Sequence, residues 1–389
     1  MQEGRSVFSQ LMDFVPKYEF DKCVRRYGGD KHIRKLSCYA QFQIMGFAQL
    51  TYRESLRDIE ACLKAVGSKL YHTGIRRHVP KSTLAEANEK RDWQIFGDFA
   101  QILIAQATRL YSGEPFGVDL QGAAYALDST TVDLCLSLFP WAKFRKAKAA
   151  VKMHALLALQ GNFPTLVIIT PGRVHDVTFL DHVVFDPGSF YVMDMAYIDF
   201  ERLRRIHQSA AFFVTRAKRN FQCRRRYSGP IDKAAGIRFD QTVVLTGPLS
   251  RKKYPDTIRR IGYVDPVTGR KLVFLTNNSA LPAISVAQLY RCRWKVELFF
   301  KWMKQHLRIK SFYGTSANAV KTQMWIAICF YVIIAILRKR LRLAHSPYTI
   351  LQILSVTLFE KTPILQALSL RPHTSSEPDV DNQLHLKGF

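Results

Sequence analysis

Residues 290–304 read YRCRWKVELFFKWMK, a segment with the residue spacing of an amphipathic helix. On a projection of about 100° per residue, its polar and amphipathic members share a stripe about 80° wide. They are Tyr290, Arg293, Glu297, Lys301 and Lys304. The apolar residues fill the adjoining stripe. We therefore predict one helix that packs one edge into a core and presents a single carboxylate among cations.

A glutamate flanked by arginine and lysine has two interpretations. It can be a solvated helix face whose i,i+4 ion pairs each contribute a few tenths of a kcal/mol. It can also mark a place where phosphate and a divalent metal meet. The spacing favours the second, because it resembles the Y-R-E-K signature of insertion-sequence-four transposases, which belong to the DDE class. This signature is matched at every position by Tyr290, Arg293, Glu297 and Lys304.

The composition is that of a folded and strongly basic protein. The chain has 389 residues, of which 48% are hydrophobic, enough for two or three domains. Its net charge of +26 favours a polyanionic partner, with nucleic acid first and an anionic membrane surface second. The basic residues are spread along the whole chain, which indicates an extended groove for a long ligand.

The sequence favours a soluble protein of the bacterial cytoplasm, associated with the nucleoid and not with a membrane. The seven cysteines form no C-x-x-C pair and are typical of small buried side chains in a reducing compartment. The start MQEGRSVFSQ lacks the apolar core of a signal peptide. An uncharged stretch at 322–337 is a little short for a membrane span, and we predict a buried helix there.

We predict a helical DNA-end-binding domain over residues 1–115. Thr51-Tyr-Arg-Glu54 and Thr83-Leu-Ala-Glu86 have the pattern of capping boxes that begin helices. Clusters of basic residues lie within 25–35 and 76–81. Short helices with basic connections fit a helix-turn-helix reader of duplex DNA as well as an ordinary helical bundle.

From about Gly122 the pattern changes to short β-branched and aromatic runs, which predict strands. The runs cover 123–136, 151–160, 163–172, 190–197 and 210–218. Segments 176–184 and 199–210 have helical spacing. Strands that first meander and then alternate with helices predict a mixed α/β sheet with helices on both faces.

Residues 218–276 differ in kind and predict a basic, β-rich insertion, with a turn at Asp265–Gly269. We assign the core to 116–217 and 277–345, on either side of the insertion. A C-terminal helix and a polar, mobile tail are expected over 346–389.

Two aspartates end apolar strands upstream of the predicted helix. Asp128 follows AAYAL and Asp194 follows FYVM. At the C-terminal edge of a sheet, such side chains face the crevice in which α/β folds bind ligands. Each aspartate alone also fits a cap for the turn or helix that follows it.

The resemblance covers roughly Gly122 to Thr315 and matches Asp128, Asp194 and Glu297 to the three acids of the DDE motif. It implies a ribonuclease H-like core, with the first two acids on adjacent strands and the third on a helix packed across the sheet. The segment between Asp194 and Glu297 is too long for a simple connection, and the insertion accounts for it.

Three carboxylates without histidine or cysteine favour Mg²⁺ or Mn²⁺. Two such ions about 3.5–4 Å apart would activate the attacking oxygen and stabilise the leaving one in an in-line displacement. The resemblance further implies that Arg293 and Lys304 hold phosphates and that Tyr290 bonds a backbone oxygen of DNA.

Other residues are secondary candidates. Lys301 shares the polar stripe but lies outside the signature, and we expect Trp294 to pack rather than stack on a base. Where a hairpin intermediate forms, an aromatic of the insertion would hold a flipped base, and the candidates are Tyr254 and Tyr263. For His154, His175 and Asp176, a core histidine and a helix cap are favoured over metal ligation. A basic loop expected to touch phosphates contains Lys143, Arg145, Lys146 and Lys148.

Together these features predict a DDE transposase. Its N-terminal domain would bind the terminal inverted repeats, and its core would cut double-stranded DNA and join it to target DNA. The resemblance implies a homodimer in the synaptic complex and is compatible with catalysis in trans. The alternatives are a metal-dependent nuclease that cuts without joining, and a transposase-derived DNA-binding protein that is no longer catalytic.

Overall fold

The computed structural model describes residues 4–33, 35–75, 78–145, 148–306 and 312–369. Several predicted features lie outside these residues: Arg34, Arg76, Arg77, Lys146 and the tail from His373. The side chains of Arg145 and Lys148 are likewise not described.

Helices fill the residues before the first strand. They are α1 (Val7–Met12), α2 (Lys17–Arg26), α3 (Cys38–Leu50), α4 (Leu56–Ala65), α5 (Lys81–Lys90) and α6 (Gln94–Tyr111). A 3-10 turn spans Gly67–Thr73.

Both predicted capping boxes are wrong. Ser55, one residue beyond the first box, caps α4, and its side chain accepts the Asp58 N–H. Thr51 instead follows α3, where its hydroxyl donates to the Phe47 carbonyl at 2.8 Å. Thr83 lies inside α5, which begins directly after Pro80. The capping-box pattern failed at Thr51 because its hydroxyl bonds the last turn of the preceding helix α3. It failed at Thr83 because Pro80 determines where α5 begins.

The centre of the protein is a mixed sheet. Its strands are β1 (Ala124–Leu134), β2 (Lys143–Arg145), β3 (Lys148–Ala158), β4 (Phe163–Pro171), β5 (Phe190–Met193), β6 (Phe212–Arg216), β7 (Cys223–Ser228), β8 (Ile237–Leu245), β9 (Ile258–Val264) and β10 (Lys271–Thr276). Their order is β2-β3-β1-β5-β6-β10-β9-β8-β7, with β4 also paired to β3. The β1, β5 and β6 strands run parallel, and the remaining pairs are antiparallel. The predicted mixed α/β architecture is confirmed.

The strands of residues 218–276 continue this sheet. Strand β10 pairs antiparallel with β6, so that Leu275 lies opposite Thr215. The predicted turn at Asp265–Gly269 joins β9 to β10: the Gly269 N–H donates to the Asp265 carbonyl at 2.8 Å. The Asp265 side chain also accepts the Val267 N–H at 2.9 Å. This basic segment therefore extends the sheet from β6, the strand beside β5.

The remaining helices are α7 (Phe200–Gln208), α8 (Pro248–Lys253), α9 (Ala283–Cys292), α10 (Trp294–His306), α11 (Ala317–Arg340), α12 (Pro347–Thr357) and α13 (Ile364–Leu368). The single helix predicted over 290–304 is thus divided at Arg293. The Arg293 N–H bonds the Tyr290 carbonyl, and the Val296 N–H bonds the Arg293 carbonyl. These i→i+3 bonds tighten the turn, while Arg293 keeps a helical backbone (φ −54, ψ −30).

Helix α11 is the central hydrophobic element and contains the uncharged stretch noted in the sequence. It is the one helix of the described residues that is long and apolar enough to cross a membrane, but 94% of its apolar window is buried inside the protein. It packs against α3, α5 and α6 and against β4. Phe330 of α11 stacks on Phe42 of α3 with ring centroids 5.0 Å apart. The burial of this helix agrees with the prediction.

Candidate active site

Strands β1 and β5 bring two aspartates to the same edge of the sheet. The last pair in their parallel register is Leu127 beside Met193, and the next residues are Asp128 and Asp194. Strand β5 ends there, whereas β1 continues along β3 to Leu134. Asp128 and Asp194 therefore lie at the C-terminal edge of parallel strands, which is where α/β folds bind ligands.

Arg216 stands at the same level one strand further along. Met193 of β5 lies beside Thr215 of β6, and Arg216 follows Thr215 at the end of β6. Sequence reasoning missed this residue. The available signal was that three apolar runs, which pair as parallel strands, each end in a charged residue.

Arg293 connects the third candidate acid to the first. Its Nη1 donates to Asp128 Oδ2 at 2.9 Å, and its Nη2 donates to Glu297 Oε1 at 2.5 Å. The side chains are largely enclosed, with 15% of Arg293 and 22% of Asp128 exposed. The α9–α10 junction therefore holds a guanidinium between a carboxylate on the sheet and a carboxylate on α10.

Tyr290 connects the same junction to the second aspartate. Its hydroxyl donates to Asp194 Oδ1 at 3.3 Å. Its ring packs on Phe274 with centroids 4.9 Å apart, and the Arg293 guanidinium lies 5.7 Å from the ring centroid. Burial raises the pKa of the Tyr290 hydroxyl to about 12, so it stays a donor at neutral pH.

The other two carboxylates lie close enough to influence the ionisation of Asp128. Its pKa is raised to about 6, first by burial and to a smaller extent by the negative charges of Glu297 and Asp194. The Ser129 N–H, which donates to Asp128 Oδ1 at 2.8 Å, and the Arg293 guanidinium act in the opposite direction. A buried acid that resists ionisation is typical of a site that receives a cation.

A divalent cation fits the donor set, subject to one condition. Within the described residues, no group of three or more histidine, cysteine or acidic side chains is close enough to hold a metal ion. The reason for the spacing is that Arg293 lies between Asp128 and Glu297. The oxygen-only donors suit Mg²⁺ or Mn²⁺. A cation shared by Asp128 and Glu297 would therefore displace at least one of the two Arg293 hydrogen bonds.

The other members of the predicted stripe have different surroundings. Lys304 Nζ donates to the Thr131 carbonyl of β1 at 2.8 Å, beyond the point where β5 ends. Lys301 is exposed and lines a cavity of about 520 Å³ with Leu298 and Tyr348. The expectation that Trp294 packs is wrong, because 58% of it is exposed. This exposure agrees with the helical projection, on which Trp294 lies beside Lys301 at the edge of the polar stripe.

The secondary candidates near the sheet are structural. His154 is buried, its Nε2 lies 3.0 Å from the Thr170 hydroxyl, and burial lowers its pKa to about 4. This agrees with a core histidine. Asp176 does not act as a helix cap: it accepts the Ser129 hydroxyl at 2.6 Å and pairs with Lys152 Nζ at 2.9 Å. His175 precedes a 3-10 turn at Asp176–His182 and makes no side-chain capping bond to it.

The insertion tyrosines singled out for a flipped base are buried. Tyr254 is 0% exposed and its hydroxyl bonds His207 Nδ1 at 2.9 Å. Tyr263 is 7% exposed and packs on Phe274. Neither ring can stack on a base in this conformation, so that suggestion is wrong. Lys143, from the predicted basic loop, is exposed at the start of β2.

Comparison with known proteins places these features in a wider group. Residues 120–333 match a family model described as a transposase DDE domain, and residues 3–76 match a domain of unknown function, DUF4372. The Sinorhizobium fredii protein y4zB, which carries a transposase name, is 30% identical over 284 residues. That match covers 72% of this chain and 78% of the relative.

Two further matches have lower coverage or similarity. A Geobacillus stearothermophilus protein named as a transposase for insertion sequence element IS5377 is 31% identical over 209 residues, which cover 54% of this chain and 55% of the relative. The solved piggyBac transposase synaptic complex with hairpin DNA aligns over 94% of this chain and 80% of that chain. Its TM-score is 0.43 at 10% identity.

Proposed function

Because this chain belongs to the DDE transposases of insertion sequences, which catalyse DNA cleavage and strand transfer, we propose that Asp128, Asp194 and Glu297 are its catalytic carboxylates. The observation that carries this assignment is the register of β1 and β5, which sets the two aspartates side by side. Arg293 then ties Glu297 to Asp128 from a helix that packs across β1 and β3.

The three carboxylates would hold Mg²⁺ or Mn²⁺, as two ions. When bound, these ions activate the attacking oxygen and stabilise the leaving oxygen of an in-line displacement at phosphorus. The role of the chain is to position the acids: the Ser129 N–H orients Asp128, and the Tyr290 hydroxyl orients Asp194. The enclosing walls also limit water around these groups, which strengthens their electrostatic interactions.

Basic side chains around the acids would hold the DNA backbone. Arg293 and Arg216 present guanidinium groups, which bind phosphate oxygens in pairs, and Lys304 adds a point charge. Tyr290 would donate to a backbone oxygen once DNA enters. Trp294, exposed at the start of α10, offers a ring face on which a base can stack.

The catalytic core is proposed to be ribonuclease H-like, with two acids on adjacent parallel strands and the third on a crossing helix. We propose residues 1–115 as the part that recognises the terminal inverted repeats, and 218–276 as an insertion in a core of 116–217 and 277–345. The net charge of +26 supports a long DNA ligand. We further propose a homodimer in the synaptic complex and a cytoplasmic location.

To test the proposal, the protein is incubated with labelled DNA duplexes that carry the terminal inverted repeats of the element, and the products are identified. With Mg²⁺ and target DNA, joined product is the expected result. Cleavage without joining would instead identify a nuclease. A shifted band without cleavage would identify a DNA-binding protein that has lost catalysis.

A further inference from the structure

Arg293 uses the carboxylate oxygens that a metal ion would need. We propose that Arg293 and the divalent cation compete for Asp128 and Glu297, so that the guanidinium keeps the site closed to metal until a DNA phosphate draws it away. This inference rests on the proposed function, because it takes these two acids as metal ligands. It adds that Asp128 and Glu297 become available to the metal ion only after DNA has bound.

The hydrogen bonds of the two acids show the competition directly. Asp128 Oδ1 accepts the Ser129 N–H at 2.8 Å, which leaves Oδ2 as the outward acceptor. That atom is bonded to Arg293 Nη1 at 2.9 Å, and Glu297 Oε1 is bonded to Arg293 Nη2 at 2.5 Å. One guanidinium thus occupies an oxygen on each acid. A cation shared by both acids would have to displace at least one of these bonds.

The guanidinium is only partly satisfied in this position. Arg293 Nε is buried and has no hydrogen-bond partner among the described residues. A buried donor without an acceptor destabilises the arrangement that contains it. Phosphate oxygens bind arginine through two parallel N–H donors and would offer Nε an acceptor. A DNA backbone in the crevice therefore gives Arg293 a better-matched partner than the two carboxylates.

The location of Arg293 also allows the exchange. It lies where α9 ends and α10 begins, and its guanidinium can turn by a change of side-chain rotamer while the backbone stays helical. The face of Tyr290 lies beside it and can continue to contact the guanidinium. As a consequence, DNA binds first and the metal ion second. The protein without DNA therefore binds the metal ions needed for cleavage only weakly.

The test is Mn²⁺ binding to the full-length protein without DNA, measured by the loss of the free-ion electron paramagnetic resonance signal. Arg293→Gln removes the competing charge and its paired donors, and we expect Mn²⁺ affinity to rise on the order of tenfold. Arg293→Lys, which keeps the charge but cannot bridge both acids, should give a smaller rise. Arg202→Gln is the matched control, because Arg202 also bonds a carboxylate, Asp181, through paired donors.

Several outcomes separate the possibilities. Equal or weaker Mn²⁺ binding by folded Arg293→Gln, or an equal gain in the Arg202→Gln control, overturns the inference. If the glutamine variant does not fold, the lysine variant decides in the same way. Adding Glu297→Gln to Arg293→Gln should abolish the gain. If it does not, Mn²⁺ binds elsewhere and the carboxylate assignment itself fails.

A second titration measures Mn²⁺ binding to the wild type and to Arg293→Gln with a short DNA duplex present. The Mn²⁺ bound by the duplex alone is subtracted. The difference in affinity between wild type and Arg293→Gln should then narrow, because phosphate has already drawn the arginine away. A difference that stays the same contradicts the exchange.

Discussion

Leu127 and Met193 are the last residues paired between the parallel strands β1 and β5, and an aspartate follows each of them. This register decides where the two candidate aspartates lie. It also explains the high pKa of Asp128, since the carboxyl lies within the sheet edge and near two other acids.

The first prediction concerns stability and pH. Burial raises the pKa of Asp128 from 3.8 to about 6, so the ionised carboxylate destabilises the folded state above that pH. Below about pH 4 the group is protonated in both states and has no effect. Asp128→Asn should therefore stabilise the protein at pH 8 by about 2–3 kcal/mol and leave stability at low pH almost unchanged. Thermal unfolding measured across this pH range checks the expectation.

A carboxylate with the opposite shift provides the control. Arg202 lowers the pKa of Asp181, which favours the ionised form in the folded protein. Asp181→Asn should therefore lower stability at neutral pH, and the loss should disappear as the pH falls. A gain at pH 8 in both variants would show that neither effect arises from ionisation.

The sequence was informative where the signal is local. Apolar runs located β1, β5 and β6, because each strand buries its own residues, and they drew attention to Asp128 and Asp194, although Arg216 was missed. Non-local pairing left no such signal. Nothing in residues 218–276 indicates that β10 lies against β6, and the Arg293–Asp128 ion pair joins residues 165 apart.

The errors also have physical causes. Packing was expected of Trp294 although the helical projection places it beside Lys301 at the edge of the polar stripe, and its exposure follows from that position. Capping patterns depend on which neighbouring residue is free to cap, and Ser55 was free whereas Thr51 was not. Burial of the insertion tyrosines follows from packing against α7 and β10, which the local sequence does not reveal.

The second prediction concerns the exposed ring at the start of α10. Trp294→Ala should change thermal stability little, because 58% of the side chain is already in solvent. If a base stacks on it, affinity for DNA with unpaired ends should fall by a factor equivalent to about 1–3 kcal/mol. Fluorescence anisotropy of labelled oligonucleotides measures this. Leu298→Ala, one turn further along and 48% exposed, should have a smaller effect. Unchanged affinity of the Trp294 variant would exclude stacking.

The third prediction concerns the edge strand β7, where Arg224, Arg225 and Arg226 are all exposed. If they bind DNA phosphates, replacing all three by alanine should reduce the slope of log affinity against log salt by about 2 to 3. As a control, the same number of charges is removed from ion-paired positions by substituting Arg202, Arg205 and Lys253. Equal slopes for the two triple variants would count against β7.

The fourth prediction tests how the N-terminal helices hold α11. A Cβ added at Gly46 of α3 would lie 1.9 Å from the ring of Phe330, which is fully buried. Gly46→Ala should therefore destabilise the protein by about 1–3 kcal/mol or more. Gly67→Ala, where nothing lies within 4 Å, should be nearly neutral. Chemical unfolding measures both. Adding Phe330→Leu should recover part of the loss, and an undiminished loss would locate the strain elsewhere.

The most direct test of the central claim is single-turnover cleavage of a terminal-repeat duplex by Asp128→Asn, Asp194→Asn and Glu297→Gln, with DNA binding measured in parallel. We predict that each variant binds DNA as the wild type does and that its cleavage rate falls on the order of a thousandfold or more. Pairs of these substitutions should lose little beyond either single one, because the three acids act as a unit. Cleavage that persists in any one of the three, with binding intact, would contradict the assignment.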